Sequence, residues 1–189
     1  NIDRLAREGV VMKGIHCPSP LCVPSRFGCL TGLSASRATN SWFTDLHKLH
    51  AHTFIHQETK ITKETPTLAK HLKNLGYTTG FVGKNHVIKA HDWVKVDTHA
   101  SMDHPDIRKQ IKNNKKVVHN AIHQAGFDYV ERVYHTNPKV VGPEEISVHN
   151  QEWLTEGAVD FIRENQDNPF FLFFSTTVPH GPYNGWKHD

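Results

Sequence analysis

The chain has 189 residues, 37% of them hydrophobic, and its 22 lysine and arginine residues against 19 acidic ones give a formal charge of +3. No run of about 18 apolar residues occurs, which excludes a membrane-spanning helix, and the small, scattered charge argues against nucleic acid as a partner. The length suffices for one substantial core and no low-complexity stretch divides it. Residues 1–189 are therefore predicted to form one domain or part of one.

Histidine and cysteine usage adds two expectations. The 16 histidines would add positive charge below about pH 6.5, which favours an anionic substrate. The concentrated basic run, residues 109–116, is interpreted as a solvated surface. Cys17, Cys22 and Cys29 lie too close together for a good disulfide framework, although one pair could bridge in an oxidising compartment.

The N-terminal residues predict a helix, a strand and a second helix. Residues 1–9 form a short helix that Gly9 ends, and residues 10–17 form an apolar strand before a proline-rich loop. Pro24 suits the first turn of the next helix, which Gly32 ends, and this places Cys22 at the helix N-terminus. Because the chain opens inside a helix without methionine and stops after a strand and a turn, we expect it to be truncated at both ends.

A helix followed by a strand is predicted twice more. Thr65 and Pro66 begin a helix that Gly76 ends, and residues 77–82 form a strand. A second amphipathic helix lies between Ile146 and Ile162, and the apolar residues 170–176 form a strand buried on both faces. This order predicts an α/β layered sheet, largely parallel, flanked by helices. Residues 34–63 show no pattern that can be assigned.

Polar residues follow the predicted strands at three places, residues 22–26, 83–86 and 179–182. Ligands of open parallel sheets bind beyond the carboxyl ends of the strands, so these residues are candidates for one site. A thiol at a helix N-terminus favours an anion, and Arg26 lies one turn along the same face. A buried structural cysteine is the alternative for Cys22. A cysteine phosphatase fails on spacing, because it needs arginine six positions after its nucleophile, where Cys22 has Gly28.

Two motifs carry a family resemblance. Cys22-Val-Pro-Ser-Arg26, followed by Leu-Thr-Gly32, resembles the sulfatase signature C-x-P-S-R with its trailing L-T-G. Residues 76–86 resemble the second signature of that family, G-Y-x-T-x-x-x-G-K-x-H, and the helix at residues 1–9 and the turn at His180 extend the resemblance over most of the chain. It implies part of a single sulfatase catalytic domain with an alkaline-phosphatase-like fold, which hydrolyses sulfate esters or sulfamates, with sulfated carbohydrates as the expected substrates.

The resemblance also implies a mechanism. A maturation enzyme would oxidise Cys22 to formylglycine, whose hydrate carries two hydroxyls: one attacks sulfur, and the other allows sulfate to leave. Arg26 and His86 would position and deprotonate the hydrate. Lys84 and His180 would bind sulfate oxygens and stabilise the leaving group. An extended backbone would point Lys84 and His86 to the same side.

The family holds a divalent cation, usually calcium, through an Asp-Asp pair, an Asp-Asn pair and the formylglycine. Neither pair matches here, so only position 22 would contribute and the remaining ligands are expected outside these residues. Family analogy also implies a periplasmic, secreted or lysosomal protein. A metal cluster of His47, His50, His52 and His56 is the alternative to a solvated or substrate-facing loop.

Two other functions remain open at this point. A phosphonate or phosphate monoester hydrolase of the same fold would make similar demands on arginine, lysine and histidine, and an inactive relative would only bind sulfated glycans.

Phe27-Gly28-Cys29 departs from the small or aliphatic residues that the family tends to have there. The stretch holding His86, His91, Trp93, His99 and His104 either lines a pocket for a sulfated sugar or is an exposed loop.

Overall fold

A parallel sheet forms the centre of the fold. The computed structural model describes residues 1–50, 55, 57–138 and 141–181. Strands β1 (Thr78–Lys84), β2 (Tyr129–Tyr134) and β3 (Phe170–Ser175) pair in the order β2–β1–β3, and both pairings are parallel. The predicted α/β architecture with a parallel sheet flanked by helices is thereby confirmed.

Six helices surround or precede these strands in the described residues. They are α1 (Ile2–Glu8), α2 (Cys22–Thr31), α3 (Ser41–His50), α4 (Leu68–Asn74), α5 (Pro105–Gln124) and α6 (Gln151–Asn165), with short 3₁₀ turns at Ala35–Arg37 and Glu144–Ile146. Among these helices, none combines the length and the apolar character that crossing a bilayer requires.

Side-chain caps explain where two helices begin. The Thr67 side chain accepts a hydrogen bond from the Lys70 backbone, so α4 begins after Thr67. The predicted start at Thr65 is wrong, because the Thr65 hydroxyl accepts from the Thr62 backbone N–H at 3.0 Å and closes a preceding turn. Likewise Asn150 accepts from the Trp153 backbone N–H at 2.8 Å and starts α6. The predicted start of this helix at Ile146 is therefore wrong: α6 begins at Gln151, and Ile146 belongs to a separate 3₁₀ turn.

Helices cover the two faces of β1. Phe81 is fully buried and packs against Phe127 and Phe173, with ring centroids 5.2 and 5.4 Å away, in a core shared with α2 and α5. On the other face, the ring of Phe161 from α6 lies so close to Gly80 that an added Cβ would be 2.7 Å from it. Burying an aromatic side chain of this size contributes about 1.5–3 kcal/mol. These contacts fix β1, whose end carries the second sulfatase-like motif.

Two strand predictions need correction. Residues 10–17 are not a strand: Val10 is 82% exposed, Ile15 is 72% exposed, and the segment pairs with none of the described strands. A strand needs a partner for its backbone groups, and apolar residues alone do not supply one. The predicted strand at residues 170–176 exists as β3, but Phe174 is 41% exposed, so the predicted burial on both faces is wrong at this residue: within the described residues nothing fully covers its side of the strand.

Candidate functional site

The first part of the site is the start of α2. Cys22 is the first residue of this helix and is partly buried, and its Sγ lies 3.2 Å from His86 Nδ1. Pro24 lies in the first turn, where a missing N–H costs no helical hydrogen bond. Gly32 ends the helix in the left-handed region (φ 68°), and its N–H donates to the Gly28 carbonyl. The predicted helix, with Cys22 at its N-terminus, is confirmed.

Arg26 connects α2 to the sheet. Its Nη1 donates to the backbone carbonyl of Lys84 at 2.9 Å and also to the hydroxyl of Ser175 at the end of β3. The guanidinium Nε is buried and has no hydrogen-bond acceptor among the described residues. Burial lowers the pKa of Arg26, and the proximity of Cys22 and Cys29 partly opposes this effect. Arg26 thus fixes the helix N-terminus against the carboxyl ends of two strands.

The end of β1 requires glycine. Gly83 has φ 105°, and an added Cβ would lie 2.0 Å from the carbonyl oxygen of Ser175. The register with β2 also shifts between Val82 and Gly83, so the strand turns out of its regular path just before Lys84. Only glycine allows β1 and β3 to approach this closely at the site.

Lys84 and His86 reach the same region by an unexpected backbone path. Lys84 is 1% exposed and its ammonium donates to Asn137 Oδ1, beyond the end of β2. His86 has φ 63°, so the predicted extended backbone is wrong. The turn is held by Asn85, whose Oδ1 accepts from the Ile88 N–H at 2.8 Å, and by the His86 N–H, which donates to the His135 carbonyl at 2.9 Å.

Three cationic side chains, Arg26, Lys60 and Lys84, lie near Cys22. Burial lowers the pKa of Lys84 to about 8, while Cys22 raises it and Arg26 lowers it. Lys60, which the sequence did not predict, donates its ammonium to the His86 carbonyl at 2.9 Å, and burial lowers its pKa to about 8. Burial, followed by Lys84, Lys60 and Arg26, lowers the pKa of His86 to about 3, so this imidazole is neutral at pH 7. The arrangement can bind a tetrahedral oxyanion and transfer a proton at position 22.

The family model for Sulfatase matches residues 1–187. The chain belongs to the sulfatase family. N-acetylgalactosamine-6-sulfatase of Rattus norvegicus is 29% identical over 186 residues, which cover 96% of this chain and 35% of that protein. The uncharacterized sulfatase YidJ of Escherichia coli (strain K12) is 25% identical over 194 residues, which cover 97% and 34%. Steryl-sulfatase of Rattus norvegicus is 40% identical over 87 residues, which cover 46% and 15%. The chain thus spans about a third of the length of the relatives that it matches along most of its own length.

The remaining sulfatase-like residue, His180, lies on the exposed loop after β3, at the same edge of the sheet. Its N–H donates to the Thr177 carbonyl at 3.2 Å, and its Nδ1 lies 2.6 Å from the Gly181 carbonyl. In the described residues the hydrogen bonds of His180 are therefore local. Its role at the candidate site stays a prediction.

Other candidates from the sequence are dispersed in the sulfatase chain. Cys17 and Cys29 are exposed, and the three cysteines are free. His47 and His50 lie on α3, while His52 and His56 lie outside the described residues. Of the stretch proposed for a sugar pocket, Trp93 packs on His135 with ring centroids 4.9 Å apart, whereas His91, His99 and His104 are exposed.

A calcium site does not follow from the residues that the structure describes. Within them, no group of three or more histidine, cysteine, aspartate or glutamate residues could hold a metal ion. Calcium takes six to eight oxygen ligands, and formylglycine at position 22 would supply only part of that set. This stretch of the sulfatase sequence therefore does not fit a complete metal site, and no chemical step is assigned to a metal here.

Proposed function

We propose that the intact protein carrying this chain hydrolyses sulfate esters or sulfamates at a formylglycine formed from Cys22. The observation that carries the proposal is the contact of Cys22 Sγ with His86 Nδ1, 3.2 Å long, at a helix N-terminus beside Arg26, Lys60 and Lys84. Family membership supports the sulfatase reaction. The geometry supports Cys22 as its centre because Cys22 contacts His86 at a helix N-terminus, whereas Cys17 and Cys29 are exposed.

The surroundings of position 22 suit a negatively charged tetrahedral group. Backbone N–H groups at a helix N-terminus and nearby cations both favour an anion. The Lys84 ammonium is held by Asn137 and would bind a sulfate oxygen. Arg26 is fixed by two protein acceptors and retains a buried Nε donor without an acceptor in the described part of the chain. Such preorganised donors stabilise charge without reorganising during the reaction.

Formylglycine would supply a hydrated aldehyde, whose first hydroxyl is the nucleophile and whose second hydroxyl permits release of sulfate. His86 is within hydrogen-bonding distance of position 22. Burial and the neighbouring cations lower its pKa, and the negative charge of a bound sulfate would offset the cations, so that the neutral imidazole would accept the proton of the attacking hydroxyl. Arg26 would hold the group at position 22 one helical turn away. His180, exposed on the loop after β3, would contact the sulfate and the leaving group.

Sulfated carbohydrates are the substrates that we propose. N-acetylgalactosamine-6-sulfatase matches 96% of this chain, whereas steryl-sulfatase matches 46% of it. We further propose that the intact protein binds a divalent cation, usually calcium in this family, with ligands outside the described residues. Formation of formylglycine would require a maturation enzyme as a partner, and family analogy suggests a periplasmic, secreted or lysosomal location.

Mass spectrometry tests the central proposal. The intact protein is produced in cells with the maturation machinery, labelled with an aldehyde-specific reagent and digested. We expect the label at Cys22 and not at Cys17 or Cys29, because only Cys22 has proline two positions later and arginine four positions later. Cys29→Ser is the control and should keep both label and turnover.

Turnover assays distinguish the alternatives. Sulfate release from an aryl sulfate should follow the label, and Cys22→Ser protein should be sulfated at most once and then stall, since serine lacks the second hydroxyl. Cleavage of a phosphate or phosphonate monoester by an unmodified Cys22 thiol would establish the phosphohydrolase instead. Saturable binding of sulfated glycan without turnover of either ester, by protein carrying the label, would establish an inactive binding relative.

A further inference from the structure

A cavity of about 470 Å³ lies next to the candidate site and shares His86 with it. We call it the lysine pocket, after Lys60, Lys89 and Lys95, which line it together with Trp42, Trp93 and His135. Since His86 contacts Cys22, a ligand in this cavity would be adjacent to a group that reacts at position 22. If the sulfate of a substrate binds at position 22, the remainder of that substrate could therefore occupy this cavity.

The lysine pocket has an excess of positive charge. No aspartate or glutamate is among its described lining residues. The Lys60 ammonium donates to the His86 carbonyl, with Glu58 near enough to offset part of its charge. Lys89 and Lys95 form no ion pair with any residue in the described ranges. Clustered like charges repel one another, and a pocket of one sign concentrates ligands of the other.

The backbone holds two of these lysines, Lys60 and Lys89, in place, whereas Lys95 is exposed. Ile61 and Ile88 form an isolated parallel bridge, in which the Ile61 N–H donates to the Val87 carbonyl at 3.0 Å and the Lys89 N–H donates to the Ile61 carbonyl at 2.9 Å. Lys60 and Lys89 flank this bridge directly. The backbone pairing thus holds these two lysines close together despite their mutual repulsion. Such an arrangement is typical of a binding site for an anion.

Two indole rings complete the cavity. Trp42 is 51% exposed, and Trp93 is partly buried and packs on His135. Tryptophan faces in a polar cavity offer flat apolar surface to a ring, while neighbouring cations bind the charged substituents of that ring. The combination fits a charged sugar ring better than it fits an inorganic anion alone.

We propose that the lysine pocket binds a second anionic group, sulfate or carboxylate, on a saccharide whose first sulfate is hydrolysed at position 22. The proposal rests on the proposed function and narrows its substrate class to saccharides that carry more than one negative charge. Lys89 and Lys95 act as specificity-determining residues in it. Lys60 contributes charge to the pocket but also holds the His86 backbone, so its substitution would disturb both places.

The test compares three substrates in the intact protein: a monosulfated disaccharide, its counterpart with a second sulfate on the neighbouring ring, and its counterpart with a uronate carboxylate there. We expect a higher kcat/KM for a doubly charged substrate. In a Lys89→Gln/Lys95→Gln variant the preference over the monosulfated disaccharide should fall about tenfold, equivalent to about 1.4 kcal/mol. The two doubly charged substrates show whether sulfate or carboxylate is preferred.

Lys112→Gln is the matched control, because Lys112 is an exposed lysine on α5 and does not line the pocket. It should keep the preference of the parent. The preference should also decline with added salt, which screens partly exposed charges. Equal kcat/KM values for the three disaccharides in the parent, or an unchanged preference in the double variant, would overturn the proposal.

Failure of the proposed function gives a different result. In that case no sulfate is released from any substrate, including a small aryl sulfate that does not reach the lysine pocket. Calorimetric titration of the parent and of the double variant with the disaccharides then still tests whether the lysine pocket binds the second anionic group. Tighter binding of a doubly charged disaccharide by the parent alone would support the pocket, and equal affinities would refute it.

Discussion

Replacing Lys84 by methionine separates its charge from its volume. The Lys84 side chain is 1% exposed, its ammonium contacts Asn137, and its backbone carbonyl accepts from Arg26. Methionine fills nearly the same space and leaves the backbone contact intact, but it removes the positive charge. Lys84→Ala removes the charge and also leaves a cavity, so the two variants test different properties.

Lys84→Met is expected to lower activity without lowering stability. Losing one aimed transition-state contact costs about 2.7–4 kcal/mol in the barrier, or about 10²–10³ in kcat. Burial lowers the pKa of Lys84 to about 8, which means that the fold disfavours the ammonium relative to neutral lysine and that removing the charge favours folding. Loss of the Asn137 hydrogen bond offsets about 1 kcal/mol of this gain. Lys84→Met should therefore be as stable as the parent or more stable.

Lys84→Ala should lose the same activity and be about 2–5 kcal/mol less stable than Lys84→Met, because it removes the same charge and also leaves a cavity. Sulfate release from an aryl sulfate and denaturant unfolding of the intact protein measure the two quantities, with Lys112→Met on the exposed face of α5 as the control. Turnover by Lys84→Met within threefold of the parent would remove Lys84 from the site. Parallel losses of stability in both variants would instead assign it a structural role.

Two further predictions concern His180 and Asp128. His180→Ala should lower kcat by about 10²-fold or more with little change in thermal midpoint, because His180 is exposed; unchanged kcat and KM on every substrate would remove it from the site. At Asp128, desolvation raises the pKa, but hydrogen bonds from Lys73 and Thr79 outweigh it and hold the pKa below its ordinary value of 3.8. The stabilisation is present above that value and is lost as pH falls through the lower folded value. Thermal midpoints measured from pH 6 to pH 2 should thus fall more steeply for the parent than for Asp128→Asn, and an identical slope would contradict the assignment.

Local signals were sufficient for the helix that carries Cys22 and for two of the three strands. Pro24 and Gly32 mark the beginning and end of α2, and the apolar residues of β1 and β3 mark those strands. The sequence did not predict α5, because its buried positions Asn114, Val118 and Ile122 form a narrow stripe within a strongly basic segment. It also did not predict β2, whose mixed burial is interrupted by a shift in register.

The sequence predicted which residues form the candidate site better than it predicted how they are arranged. The motifs identified Cys22, Arg26, Lys84 and His86, and the structure brings these residues together. Lys60 was missed, because it reaches the site only through the bridge between Ile61 and Ile88, a pairing across 27 positions for which no local pattern exists.

The placement of charge at the end of β1 follows from one close approach in the sheet. Because Gly83 has no side chain, the Ser175 carbonyl can lie where a Cβ would otherwise be, and Ser175 Oγ and the Lys84 carbonyl can both accept from Arg26. These contacts hold the cations near position 22 before any substrate is present. Mutual repulsion and burial then destabilise the free protein, and the anionic substrate that we propose would relieve the repulsion, so part of its binding energy would be set by the strand geometry. For stability alone, an apolar residue would serve better than a lysine buried as deeply as Lys84, so we infer that this lysine serves to bind an anion.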